Sequence, residues 1–326
     1  MTPNAGLMSV AAAAERILGG QVLSIAGDEA ALRQLPPGQW IGGTIPYFMA
    51  AEGGTVSREQ VFVQVVSDYA APPRLRFYDA ASLPQLCRNA PEHGYSLLIV
   101  PAFSTCHSDF ARNAPNYEDM YLKPLAGWVA GTHLDDAGRA RPQVVHGPTG
   151  QFSAEHAVVM DVELPPERYA QIEILNAFRP GEGAAITFAQ TGFDAGACQI
   201  DGSPANLADY LLDQAIDTRL PLVADYCGAW VNVSIKDIDA AARRVAFYAP
   251  VFPGLTYRVA VPVDGSGATD AVPSAADTVP FACNCILNFL YGALEGKPSG
   301  PLTGPVTFGE IGYQLLNQTQ VYLRVR

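Results

Sequence analysis

Apolar residues in this chain come in short runs, and that run length constrains the fold more than any motif does. The longest, such as Ser96 to Phe103, are strand-sized, and none approaches the roughly 18 residues that cross a bilayer. Alternating and strand-length runs separated by polar turns predict sheets rather than a helical bundle. With 326 residues the chain exceeds one ordinary core, which suggests two domains or one long sheet-rich domain. Apolar residues at 49% against 16% charged are enough to bury a core, so global disorder is excluded.

The formal net charge of −12 and the pI near 4.8 repel phosphate backbones, and no Lys/Arg cluster offsets them. Nucleic acid and anionic membrane are therefore not expected partners. The N-terminal alanine run is interrupted by Glu15 and Arg16 and has no basic leader, so export is not indicated and a cytoplasmic location is expected. The six cysteines, Cys87, Cys106, Cys198, Cys227, Cys283 and Cys285, follow no framework spacing and read as reduced thiols.

Along the chain, helices are expected over Met8 to Leu18, from Asp28 to Leu35, over Ala80 to Ala90, from Asp109 to Tyr121, over Pro204 to Ala215 and from Val279 to Leu294. Strands are expected over Gln21 to Ala26, Trp40 to Ile45, Gln60 to Ser67, Ser96 to Phe103, Gly127 to Thr132 and His156 to Glu163. The second half adds Ala170 to Phe178, Ala185 to Thr191, Ala197 to Ile200, Trp230 to Ile235, Val245 to Tyr248, Tyr257 to Val263, Val306 to Gly312 and Thr319 to Val325. Asp264 to Asp277 reads as a polar surface loop. Together these predict an α+β fold of mainly antiparallel and mixed sheets, in two halves (1–165 and 166–326) meeting near Pro165-Pro166.

One self-similarity runs through this layout. Trp40-Ile41-Gly42-Gly43-Thr44 followed by Val61 to Val66 resembles Trp128-Val129-Ala130-Gly131-Thr132 followed by Ala157 to Val162. Phe308 to Gly312, followed by Val321 to Val325, has the same layout. Three ordinary hairpins account for it as well as duplication does.

The second half carries an ordered series of short signals. Cys198-Gln199-Ile200-Asp201-Gly202-Ser203-Pro204-Ala205 opens a helix, and Phe252-Pro253-Gly254 ends a strand. Phe281-Ala282-Cys283 is followed by Gly304 to Gly312 and by Asn317-Gln318-Thr319. In that order they resemble the C-terminal part of the FIST sensory domains of bacteria, and Gly42-Gly43-Thr44 resembles their N-terminal part. The chain departs from the family at Asn284-Cys285-Ile286, where an Arg-Gly pair commonly follows the Cys. It carries no recognisable kinase, cyclase or receiver segment, so a stand-alone, divergent relative is the fitting description. The resemblance implies a protein that senses a small molecule. Amino-acid-like ligands are proposed for the family, some members bind haem, and a signalling protein would read the signal.

On the expected last helix, Cys283 lies near the N-terminus, where the dipole lowers a thiol pKa. A buried core cysteine is the plainer account. Asn284 and Asn288 fall on one stripe with Tyr291 and Glu295, suited either to a polar ligand or to solvent. Glu310, between glycines in a strand, could bind a ligand amine or face solvent. Thr44, Cys106 and His107 are the candidates in the first half, the last two because α/β proteins place ligand sites after buried strands. The five histidines show no zinc spacing, though a single axial ligand would suffice for haem. Phosphate-loop, dinucleotide and nucleophile-elbow signatures are missing, which favours a binding protein over an enzyme. An enzyme using Cys283 or Glu310, or a protein-interaction scaffold, are the alternatives.

Overall fold

The computed structural model describes residues 5–226, 228–263, 277–298 and 300–326, so Cys227 and the expected loop up to residue 276 lie outside the described residues. The chain is α+β, with mixed and antiparallel sheets. It separates into a larger unit (residues 1–174, 271–315 and 320–326) and a smaller one (175–270 and 316–319). One cut at Pro165-Pro166 does not describe this division, because the C-terminal segments belong to the larger unit.

The larger unit repeats one motif three times. The first copy runs through strand Ala5–Ser9, helix Val10–Leu18, strand Val22–Gly27, helix Glu29–Leu32, strand Trp40–Thr44, a hairpin (Tyr47–Ala50 and Gly53–Val56) and strand Gln60–Val66. The second runs through Arg74–Tyr78, helix Leu86–Asn89, Gly94–Pro101, helix Thr105–Asn113, Leu125–Ala130, a hairpin (Val144–His146 and Gln151–Ser153) and Ala157–Glu163. The third begins at Ala170–Asn176 and resumes at Thr278–Cys285, helix Ile286–Tyr291, Gly304–Thr307, a hairpin (Glu310–Gly312 and Gln314–Leu316) and Thr319–Val325. Where the first two copies have a helix after their opening strand, the third carries the smaller unit.

Within each copy the second and third long strands run parallel, which requires the intervening helical crossover. The last strand lies antiparallel on the second. Each copy then gives its hairpin to another copy's sheet: the first to the third, the second to the first, the third to the second. The result is three six-stranded sheets with one strand order.

The register shows which residues correspond. Gly43 pairs with Ala26 and Val144, Trp128 with Ile99 and Glu310, and Val306 with Asn284. Trp40 and Trp128, which local sequence similarity aligns, are therefore not counterparts. The counterpart of Trp128 is Gly43, where an added Cβ would lie 2.8 Å from the Trp128 ring. Glycine leaves the room that the indole fills.

Helix Val10–Leu18 illustrates the local logic. Ser9 caps it by accepting from Ala12 N (3.2 Å), and Ala13 and Ile17, four residues apart, point into a core with Leu23, Ile25, Val61 and Val63. Side chains such as Ile25 and Val63, fully buried, are each worth about 1.5–3 kcal/mol. In the smaller unit Asn206 caps helix Leu207–Asp213, whose Leu207 and Leu211 pack on Ile186, Leu222 and Tyr257. Segment 316–319 is held there by amides: Ser234 Oγ donates to Gln318 Oε1 (2.6 Å), and Gln318 Nε2 to Arg219 O (3.0 Å).

Several expected elements change type. The helix from Val279 to Leu294 is a strand as far as Cys285 and a helix only over Ile286–Tyr291. Pairing of Phe281 to Asn284 with Gln320 to Leu323 claims that stretch, a long-range gain that outweighs local propensity. Ala80 to Ala90 shrinks to short helical turns. The helix expected from Asp109 to Tyr121 is Thr105–Asn113, capped by Ser104, which accepts from His107 N. Val306 to Gly312 is two strands in different sheets.

Candidate functional site

The C-terminal ends of the parallel strands meet. Gly131 N donates to Thr44 O (2.7 Å), Phe308 N to Val129 O (3.1 Å) and Val129 N to Gly309 O (2.8 Å). These hydrogen bonds tie the exit of each copy's third strand to a neighbouring copy. Carboxyl ends of parallel strands collect backbone groups and helix starts, and are where α/β sheets hold ligands.

The expected residues gather at this end, but mostly as interior groups. Cys283 is buried, its Sγ lying 3.6 Å from Gly127 O. It sits on a strand, so no helix N-terminus lowers its pKa. Burial, followed by the Glu310 charge, instead pushes the thiol well above its ordinary range. Glu310 is fully buried opposite Trp128, so it is not an exposed strand position. Asn284 Oδ1 accepts from Cys285 N (2.8 Å) and from Asn288 Nδ2 (3.0 Å). The two asparagines therefore meet as expected, across a strand–helix junction rather than along one helix. Thr307 Oγ1 donates to Gly309 O (2.9 Å) and lies 3.2 Å from Asn284 O.

Cys106 and His107 stand in the first turn of Thr105–Asn113 instead of a loop, and they diverge. Cys106 is a core residue whose Sγ lies 3.6 Å from Tyr78 O, and burial raises its thiol to about 11. His107 Nδ1 accepts from Phe103 N (3.3 Å), and burial lowers its imidazole to about 4. Neither thiol is a ready nucleophile at neutral pH.

Thr44 lines an open cleft, and there it is buried. Its Oγ1 donates to Gly131 O (2.8 Å) and accepts from Gln143 N (2.9 Å), so it fixes the floor of the cleft. The cleft, about 100 Å³, lies between the Asp28–Glu29 helix start and the segment from Gly131 to Arg141. Its charged lining is Asp28, Glu29, Asp136, Arg58 and Arg141, of which Glu29 also pairs with Arg33 and Arg141 with Glu155. Arg58 bridges Asp136 (2.7 Å) and approaches Asp28 (3.9 Å). The Arg58 guanidinium in turn holds the Asp136 carboxyl below the usual range. His133 stacks on Tyr47 (centroids 5.5 Å apart), and the Tyr47 hydroxyl accepts from Leu134 N (3.1 Å).

Arg58, His133, Asp136 and Arg141 were not singled out from the sequence. Arg58 comes from the turn before Gln60–Val66 and the other three from the stretch after Ala130, with no motif-like spacing. The one available signal was the length of the polar stretch after Ala130, which reads as a plain linker. A haem does not fit this cleft, and His133 Nδ1 already accepts from Asp135 N (3.2 Å). Among the described residues no group of three His, Cys, Asp or Glu is arranged to hold a metal ion, and no helix is long and apolar enough to cross a membrane.

The profile of a family described as "Family of unknown function (DUF6976)" matches residues 8–326. The chain belongs to that family. No curated protein matches it. The match spans both units, so the three copies and the smaller unit together form one DUF6976 chain.

Proposed function

We propose that the chain is a small-molecule-binding protein of the sensory kind its FIST-like motifs imply, with the cleft above Thr44 as the ligand seat. The observation that carries this is the meeting of two guanidinium groups, Arg58 and Arg141, with the carboxylates of Asp28, Glu29 and Asp136 around an open space. Such walls suit a small amphoteric ligand. A carboxylate would engage a guanidinium through paired N–H donors, and an ammonium would face the acids. At about 100 Å³ the enclosed part holds only a few heavy atoms, which matches the backbone end of an amino-acid-like metabolite.

Binding would favour whichever arrangement of the 131–141 wall grips the ligand more tightly, and that differential affinity is the physical content of sensing. Tyr47, stacked on His133 and 5.8 Å from the Phe289 ring, links the wall to helix Ile286–Tyr291. A catalytic role for Cys283 or Glu310 has little support, since both are buried and the thiol is held protonated.

Native mass spectrometry of freshly purified protein tests the proposal. A stoichiometric adduct of small mass, released on denaturation, is the expected result. A bare polypeptide mass that no added amino acid changes would refute it.

A further inference from the structure

The three copies provide an internal control for what the scaffold needs. In the first copy, Thr44-Ile45-Pro46 link Gly43 to the hairpin that begins at Tyr47. In the third, Thr307-Phe308-Gly309 link the corresponding Val306 to Glu310. In the second, residues 129–143 separate Trp128 from Val144. The ends of that stretch are equivalent to the short links: Thr44 N donates to Gln143 O (2.9 Å), as Val129 N donates to Gly309 O (2.8 Å). By this register Ala130 corresponds to Ile45 and Phe308, and Gln143 to Pro46 and Gly309. Residues 131–142 are the excess.

We infer that residues 131–142 are a recognition insert, dispensable for folding, whose side chains select the ligand. The inference rests on the ligand-binding reading of the cleft. The insert supplies half of the cleft lining, including His133, Asp136 and Arg141. It contributes little to the core, since only Gly131 and Pro142 are buried and its one large apolar side chain, Leu134, is exposed. Beyond the Gly131 bonds with Thr44 at its base, its anchors are polar: Asp136 on Arg58 within the cleft, Arg141 on Glu155, and Leu134 N on the Tyr47 hydroxyl. Exposed ion pairs of this kind contribute at most about 1 kcal/mol each to folding.

The cleft then divides by origin. The scaffold contributes Asp28, Glu29 and Arg58, suited to the ammonium and carboxylate that all amino acids share. The insert contributes His133, Asp136, which Arg58 already holds, and Arg141, whose guanidinium suits a side chain ending in a carboxylate or carboxamide that would compete with Glu155. The class assigned is a small amino acid with an acidic or amide side chain.

Two variants test this, with L-aspartate, L-asparagine and L-alanine as probes. In the first, residues 131–142 are removed and Ala130 is joined to Gln143. It is expected to melt cooperatively within a few degrees of the parent and to bind none of the probes. Failure to fold, or parental affinity, overturns the inference. The second, Arg141→Met in the full chain, is expected to lose at least tenfold more affinity for aspartate than for alanine. An unchanged aspartate-to-alanine ratio overturns the selectivity. If the intact chain binds no probe while the shortened chain melts like its parent, the binding reading fails and the insert loses its role, although the scaffold comparison stands.

Discussion

Gly127→Ala is expected to prevent the larger unit from folding. Gly127 lies in strand Leu125–Ala130, paired with Leu98 on one side and Ile311 on the other. An added Cβ would sit 1.8 Å from Leu98 O and 2.8 Å from Leu98 C, both backbone atoms that no rotamer change can move. The strands would have to part, which opens sheet hydrogen bonds and disturbs the buried Trp128 next in sequence. Ordinary overpacking costs about 1–3 kcal/mol. Separation of a central strand pair belongs with the exceptional changes above about 4–5 kcal/mol, against a total stability on the order of 5–15 kcal/mol. Gly6→Ala, whose Cβ would meet nothing within 4 Å, is the matched control and is expected to change little. Circular dichroism and the yield of soluble protein check the pair. A Gly127→Ala protein that melts like the control would mean that the register of this sheet is wrong.

The second large effect is a loss of stability in mild acid that traces to His107. Burial lowers its imidazole to about 4 in the folded chain, whereas in the unfolded chain it titrates near 6.5. As pH falls below about 6.5 the unfolded chain takes up a proton that the folded chain refuses. Stability is therefore full above that range, declines between about pH 6.5 and 4, and loses nothing further to this group below it. The gap between the two values is worth about 3 kcal/mol. His107→Gln keeps an acceptor for Phe103 N and removes the titration. Urea melts of both proteins between pH 7.5 and 4.5 should show the wild type losing about 2.5 kcal/mol more as pH falls. Parallel profiles would show that His107 is protonated in the fold at little cost.

Much of the fold was legible because strand signals are local. Gln60–Val66, Gly94–Pro101 and Ala197–Ile200 announce themselves by alternation or by apolar runs of strand length, and Asp28 caps a helix by side-chain chemistry that needs no distant partner. What was not legible depends on partners far along the chain. Thr278–Cys285 reads as the start of a helix because its apolar run merges with Ile286–Tyr291, and its partner strands lie beyond residue 300. Tyr47–Ala50 forms a local hairpin with Gly53–Val56, but its sheet partner Gly304–Thr307 lies more than 250 residues away. The threefold repeat left a trace in the sequence, but Trp40 and Trp128 suggest a false alignment. The true counterpart of Trp128 is a glycine, and small and large residues that complement each other at a shared centre erase sequence similarity.

The site divides in the same way. Thr44 and the Asn284–Asn288 contact follow from residue type and order along the chain. Arg58, Asp136 and Arg141 meet only because the second copy spends residues 131–142 on a wall that the other copies lack. Cys283 and Glu310 draw the eye in sequence as reactive groups, yet the sheets bury both.

Thermal shift on the purified chain, with a panel of small amino acids set against acetate and ethylamine, tests the binding reading most directly. At about a hundredfold excess over Kd a ligand adds about 2.7 kcal/mol, so an amino acid with both charges should raise Tm by roughly 5–10 °C. The singly charged controls should leave it in place, and Arg58→Met should abolish the rise. A rise that survives Arg58→Met, or a melting curve indifferent to the whole panel, would contradict a ligand seat in this cleft.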